Sequence, residues 1–223
     1  ADLDTYDSSP RALANAAKAI VVSTHYRQAP EFPFPAAHDD TWAAWRWTLS
    51  HAAVIGGDPA RIAVAGESAG ANMAAAIALR ARDEKVQAPV HQLLVYPVAD
   101  AVVSSPSEAA NLMSKPLNSP MLSWFYNQYL RSPADGNTPQ FDILAADPRG
   151  VAPATVITAN IDPLNSEGRG YAQRLQAAGV PVRMSDVQGV THEFFGMGAV
   201  VDKAKGAVAF GAAGLRQGFA SAR

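Results

Sequence analysis

The sequence predicts an α/β protein: a doubly wound, mostly parallel sheet with helices on both faces. Two observations carry that prediction. Short β-rich runs alternate with longer helical stretches along the chain, the order that builds parallel sheets from crossover units. The runs are also continuously apolar, as strands covered on both faces are. A length of 223 residues fits one large α/β domain. The expectation is a single domain over 1–223, with 100–150 a partial cap or insertion.

The elements follow in order. In "SSPRALANAAKA" (8–19), Ser9 before Pro10 reads as a helix start, a capping hydroxyl with proline in the first turn. "AIVVSTHY" (19–26) reads as a buried strand. Pro30, Pro33 and Pro35 make the next segment an irregular loop. "DDTWAAWRWTLSHAAVI" (39–55) is an amphipathic helix, with Trp42, Trp45 and Ala52 near one face and Gly56-Gly57 ending it. "RIAVAGE" (61–67) is a strand, "AGANMAAAIALRAR" (69–82) a helix and "PVHQLLVYPVA" (89–99) a strand. Residues 100–150 are less regular, apart from an aromatic-rich helix, "SPMLSWFYNQYLRS" (119–132). Segments 154–161, 168–179, 181–188 and 202–220 then read as strand, helix, strand, helix.

Composition excludes several functions. There is no cysteine, so no disulfide scaffold, thiolate nucleophile or Cys-ligated metal is available. That also fits a reducing cytoplasm, the expected location. Eighteen basic residues balance twenty acidic ones, with no basic stripe for nucleic acid. The longest apolar runs fall well short of the ~18 residues that cross a membrane.

One stretch carries chemistry. Gly66-Glu67-Ser68-Ala69-Gly70 lies where a strand hands over to a helix. A strand–GxSxG–helix order is what a nucleophile elbow requires. The turn is sharp, and the two glycines are expected to remove side chains that would collide there. The serine hydroxyl is thrust above the carboxyl end of the sheet. The helix N-terminus aims its N–H groups at the same spot, with Ala69 N–H as an oxyanion donor.

A serine hydroxyl needs a base. Of five histidines, only His192 lies in a loop after the last strand, late in the chain, as the order Ser…acid…His requires. His25, His38, His51 and His91 read as structural. A zinc reading of "HEFFG" fails because HExxH needs histidine at 196, which is Gly196. The acid must follow a strand between Ser68 and His192. Asp162 is preferred, because it ends the strand just before the histidine-bearing one; Asp100 is the second candidate. Glu67 and Asn72 flank the elbow and would support it rather than touch a substrate.

Together these residues resemble the hormone-sensitive-lipase-like family of α/β-hydrolases. GESAG (66–70) is similar to that family's elbow, "YRQAPEFPFPAAHDD" (26–40) to its YRLAPE–PFPAA segment, "DPLNSEG" (162–168) to its acid loop and "THEFFG" (191–196) to its histidine loop. The resemblance implies an α/β-hydrolase fold and hydrolysis of short-chain carboxylic esters by Ser68, Asp162 and His192, without cofactor or metal. It makes the partner a small-molecule ester, with no nucleic acid or membrane, and leaves a homodimer open. It also implies an HGGG oxyanion motif upstream of the segment resembled by "DLDTYDSSP" (2–10), so the chain is expected to be N-terminally truncated. The strand leading into that motif would lie between 19–26 and 61–67, which are expected to face a gap. Trp124, Phe125, Tyr126 and Phe194 are candidate pocket residues. The alternatives are an inactive esterase fragment or a non-catalytic hydrolase-like binding protein.

Overall fold

The computed structural model describes residues 2–102 and 104–222. Ala1, Val103 and Arg223, within the expected domain span, lie outside the described residues. Helices α1 (Leu3–Tyr6), α2 (Ser8–Ala17) and α3 (Ala36–His51) precede strand β1 (Val64–Glu67). Helix α4 (Ala69–Asp83) leads to β2 (Gln92–Val95), and α5 (Pro106–Ala110), α6 (Ser119–Tyr129) and α7 (Pro133–Gly136) fill the long excursion to β3 (Ala154–Ile161). Helix α8 (Asn165–Ala177), β4 (Val182–Thr191), a 3₁₀ turn (Phe194–Gly196) and α9 (Asp202–Ser221) complete the chain.

The four strands form one parallel sheet in sequence order, β1-β2-β3-β4. Strand side chains alternate between its faces, which explains why apolar residues occupy successive positions in β2 and much of β3. Leu94, Ala154 and Val156 join α3, α4 and α8 around Trp42, Trp45, Tyr171 and Leu175. Leu93, Val95, Ile157 and Ala159 point the other way, onto α2 and α9 around Leu13, Val208 and Leu215. Small residues bring the covering helices close: Ala71, Ala74, Ala75 and Ala78 on α4 are buried. On α9, a Cβ at Gly214 would stand 2.0 Å from Thr155 Oγ1. A third cluster, Phe34, Val98, Leu117, Leu122, Phe141 and Leu164, joins the proline-rich loop and the 100–150 segment above the sheet.

Two local expectations are corrected. Helix α2 begins at Ser8 with Asp7 at the cap position and no side-chain cap bond. Pro10 therefore sits inside the first turn, where its missing N–H has no intrahelical acceptor to lose, and Ser9 is buried there. The run 19–26 is not a strand. Ile20, Val21 and Val22 are 55%, 40% and 41% exposed, and a cleft of about 1,110 Å³, lined by 19–26 on one side and 61–70 on the other, separates the run from β1. A strand needs a neighbour's N–H and C=O groups, and none lies within pairing reach across that cleft.

Candidate active site

Strand β1 ends at Glu67 and α4 starts at Ala69, so one residue makes the turn. Ser68 adopts φ +56°, ψ −120°, a strained conformation for a residue with a side chain. Its backbone is pinned on both sides. Ser68 N–H donates to Val95 O (2.9 Å), and Ser68 O accepts from Ala71 N–H (3.0 Å) and Val98 N–H (3.3 Å). The turn closes because residue 66 has no side chain: a Cβ there would stand 2.1 Å from Gly70 O. Gly70 has no such role, since nothing lies within 4 Å of where its Cβ would be. The expectation that both glycines clear the turn is corrected to Gly66 alone. Ala69, as first residue of α4, has an N–H without an intrahelical acceptor beside the Ser68 hydroxyl.

His192 follows β4 and Asp162 follows β3, so adjacent parallel strands deliver both to the carboxyl edge of the sheet. His192 Nε2 lies 2.9 Å from Ser68 Oγ, and His192 Nδ1 lies 2.6 Å from Asp162 Oδ2. A carboxylate only accepts, so Nδ1 carries the proton and Nε2 is left to accept from the serine. Asp162 and His192 are 0% and 3% exposed. The second carboxylate oxygen accepts the Leu164 N–H at 2.9 Å, which fixes the rotamer. The structure therefore brings Ser68, His192 and Asp162 into one hydrogen-bonded row. Asp100 lies outside it: its carboxylate accepts the Val102 N–H, and burial raises its pKa.

The other histidines have local partners. His38 lies between Tyr129 Oη (2.8 Å from Nδ1) and Asn72 Oδ1 (2.9 Å from Nε2). Asn72 spends its amide hydrogens on Val98 O and Phe141 O, so its oxygen accepts and His38 Nε2 is the donor. Burial lowers the His38 pKa to about 4. His91 meets Thr155 Oγ1 at 2.9 Å, and His51 stacks on Trp47.

Among the pocket candidates, Phe125 lines the same cleft as Ser68. The other three do not. Trp124 is 57% exposed, turned outward on α6. Tyr126 packs edge-on against Phe141. Phe194 is buried in the core beneath Tyr96. An aromatic pattern marks a helix as packed or lining, but does not say which turn meets the cleft.

Sequence reasoning gave no role to three residues at the centre, Tyr6, Tyr96 and Glu193, and too small a one to Glu67. Tyr96, just after β2, donates its hydroxyl to Glu67 Oε2, and its ring lies 4.4 Å from the His192 imidazole. Tyr6 donates its single hydroxyl hydrogen between the two Glu193 oxygens, at 2.7 and 2.8 Å. Burial raises the pKa of Tyr6, Tyr96 and Glu67. Glu67 was placed only as elbow support; Glu193 and Tyr6, though inside the THEFFG and DLDTYDSSP segments, and Tyr96 were given no role of their own.

A parallel sheet with a strained serine between strand and helix, and a histidine and aspartate on the next loops, defines the α/β-hydrolase class. Known proteins agree. A family model described as the alpha/beta hydrolase fold matches residues 1–196. The chain is 41% identical over 227 residues to Carboxylesterase NlhH of Mycobacterium tuberculosis, spanning 96% of this chain and 69% of that protein. It is 38% identical over 204 residues to Ethyl acetate hydrolase of Pseudomonas putida, 91% of this chain and 64% of that one. The solved esterase of Pyrobaculum calidifontis superposes with a TM-score of 0.94 at 36% identity, over 97% of this chain and 72% of its own. The chain thus spans roughly two thirds of the length of the curated relatives it matches. It belongs to the α/β-hydrolase family, in its hormone-sensitive-lipase-like branch. Among the described residues, no helix is long and apolar enough to cross a membrane, and no group of three or more His, Asp or Glu is placed to hold a metal.

Proposed function

We propose that this chain carries the catalytic centre of a serine carboxylesterase acting on small, short-chain acyl esters. The single observation that carries the reading is the hydrogen-bonded row Ser68–His192–Asp162, with the serine held at φ +56°. Ser68 Oγ attacks the ester carbonyl while His192 Nε2 takes its proton. Asp162 holds the imidazole in the tautomer that can accept it, and favours the imidazolium once formed. Ala69 N–H donates to the developing oxyanion. His192 then protonates the leaving alcohol, and water, activated by the same imidazole, releases the acid from the acyl-serine. The names of similar proteins, an ethyl acetate hydrolase and a carboxylesterase, support a small ester as substrate. Phe125, which lines the same cleft as Ser68, is a candidate contact for the acyl or alcohol group.

A fluorophosphonate probe and p-nitrophenyl butyrate test the reading. The wild-type chain is expected to label at Ser68 and to hydrolyse the ester. Ser68→Ala should not label, and His192→Ala should label and turn over about 10³-fold more slowly or worse. A folded wild-type chain that neither labels nor hydrolyses would favour a non-catalytic binding protein. Undiminished hydrolysis by Ser68→Ala would overturn the assignment.

A further inference from the structure

We propose that Glu67 and Tyr96 form a positioning pair for His192: the Tyr96 ring supports one face of the imidazole, and the Glu67 carboxylate, held by the Tyr96 hydroxyl, sets a negative charge beneath it. The inference rests on the reading of His192 as the base. Its starting point is a conformational outlier. Tyr96 is 0% exposed and sits at φ +36°, a region that strains a residue with a side chain and persists where the surroundings over-determine it. The backbone there is clamped by Tyr96 N–H donating to Ile157 O at 2.6 Å. This turn brings the ring to 4.4 Å from the imidazole, tilted by 50°, with Phe194 behind it at 6.0 Å. A buried tyrosine hydroxyl ordinarily finds a hydrogen-bond partner, so it is the identity of the partner that carries the argument. Here the hydroxyl donates to Glu67, the residue covalently next to Ser68.

The pair joins the two halves of the row through a route other than the Ser68–His192 hydrogen bond. Moving the elbow moves Glu67, hence Tyr96, hence the surface on which the imidazole rests. The ionisable groups packed around His192 are Asp162 from the end of β3, Glu67 from the elbow, Tyr96 from the end of β2, Glu193 beside it in the chain, and Tyr6 from α1 on Glu193. Burial and the neighbouring Glu193 charge raise the Glu67 pKa, whereas the hydroxyls of Ser9 and Tyr96 and the charge of a protonated His192 lower it. Coupling between two sites is reciprocal. If an imidazolium favours the ionised carboxylate, the ionised carboxylate favours the imidazolium, the form His192 takes when it holds the serine proton.

The test follows the ring protons of His192 by NMR as pH is varied, a readout that needs no turnover. The signal is assigned by its loss in His192→Asn. Glu67→Gln keeps the side-chain shape and removes the charge; it should lower the His192 midpoint by about 0.5–1 pH unit relative to wild type. Tyr96→Phe keeps the ring, removes the Tyr96 donor from Glu67 and should move the midpoint the same way by less. Glu67→Asp retains the charge and should stay nearer to wild type than Glu67→Gln does. A merely structural role would lower the melting temperature and leave the midpoint in place. Midpoints of Glu67→Gln and Tyr96→Phe within about 0.2 unit of wild type would overturn the proposal. If Glu67→Gln does not fold, an unshifted Tyr96→Phe is sufficient to do so. Failure of the esterase reading looks different: Ser68 stays unlabelled by the fluorophosphonate whatever the His192 midpoint does.

Discussion

Adding one methyl group at residue 66 should disable the serine, while the same change at residue 70 should not. The two glycines are symmetric about Ser68 in the sequence and unlike in the structure. An ideal Cβ on Gly66 would lie 2.1 Å from Gly70 O, 2.2 Å from Gly70 C and 2.6 Å from Ala71 N. All three are backbone atoms at the start of α4, so no side chain can rotate away. An ordinary contact is near 3.5 Å, which requires strand and helix to part by about 1 Å or more. Overpacking of this kind costs about 1–3 kcal/mol, and a rigid backbone obstacle places the cost at the upper end. For a chain of this length that lowers the melting temperature by about 5–10 °C. The loss of function should exceed the loss of stability, because a displacement of about 1 Å at a reacting group costs roughly 10²-fold in rate. A Cβ on Gly70 meets nothing within 4 Å, and alanine is the better helix former. Gly70→Ala is therefore expected to melt at or slightly above wild type and to label at a similar rate. Thermal melting and the rate of fluorophosphonate labelling, measured side by side, decide it. If Gly66→Ala labels within about threefold of wild type, the close approach at residue 66 does not hold Ser68 in place and the elbow argument is wrong.

Two further outcomes are expected. Asp162→Asn should slow labelling about 10³–10⁴-fold, since an amide can donate to Nδ1 and trap the wrong tautomer; Asp100→Asn, outside the hydrogen-bonded row, should have little effect, and the reverse pattern would transfer the acid role to Asp100. His38 adds a pH dependence of stability. Its pKa is lowered to about 4 by burial, against about 6.5 in an unfolded chain. Between those values the unfolded chain binds a proton that the folded chain refuses, so stability falls as pH drops through that window, by about 2–3 kcal/mol by pH 4.5. His91, also lowered to about 4 by burial, acts in the same sense. Glu167 and Asp100, raised by burial, act in the opposite one. The difference between wild type and His38→Gln therefore isolates the term: urea melts at pH 7 and 4.5 should show the variant losing about 2–3 kcal/mol less, and parallel losses would refute the assignment.

How much of this was legible in the sequence depends on the range of the interaction that fixes each feature. The order of strands and helices was readable because apolar runs and helical periodicity are local, and strand 154–161 coincides with β3. Ser68 was readable because the elbow is a five-residue event. Asp162 and His192 were readable from topology, since parallel strands place the following loops on one edge. Tyr6 and Tyr96 were not. A tyrosine near a buried strand looks the same whether its hydroxyl is idle or, as in Tyr6 with Glu193, paired across 187 positions of chain.

The run 19–26 makes the same point for a backbone. Its sequence, "AIVVSTHY", carries the β-branched residues of a strand, and nothing in its composition separates it from 154–161. The difference lies in the partner. Strand β3 has β2 on one side and β4 on the other, whereas 19–26 faces β1 across open volume. Propensity describes one segment, while a strand is a property of two. The fold expected for a run can therefore be right in its residues and wrong in its hydrogen bonds. It also follows that the mouth of the site is set from that side by an unpaired segment. Tyr26 and Ser68 line one cleft, and Ile20, Val21 and Val22 leave apolar surface within it. The hydrogen-bonded row Ser68–His192–Asp162 is held at the ends of β1, β3 and β4, and so does not depend on where 19–26 lies. The shape of the space in front of Ser68 does.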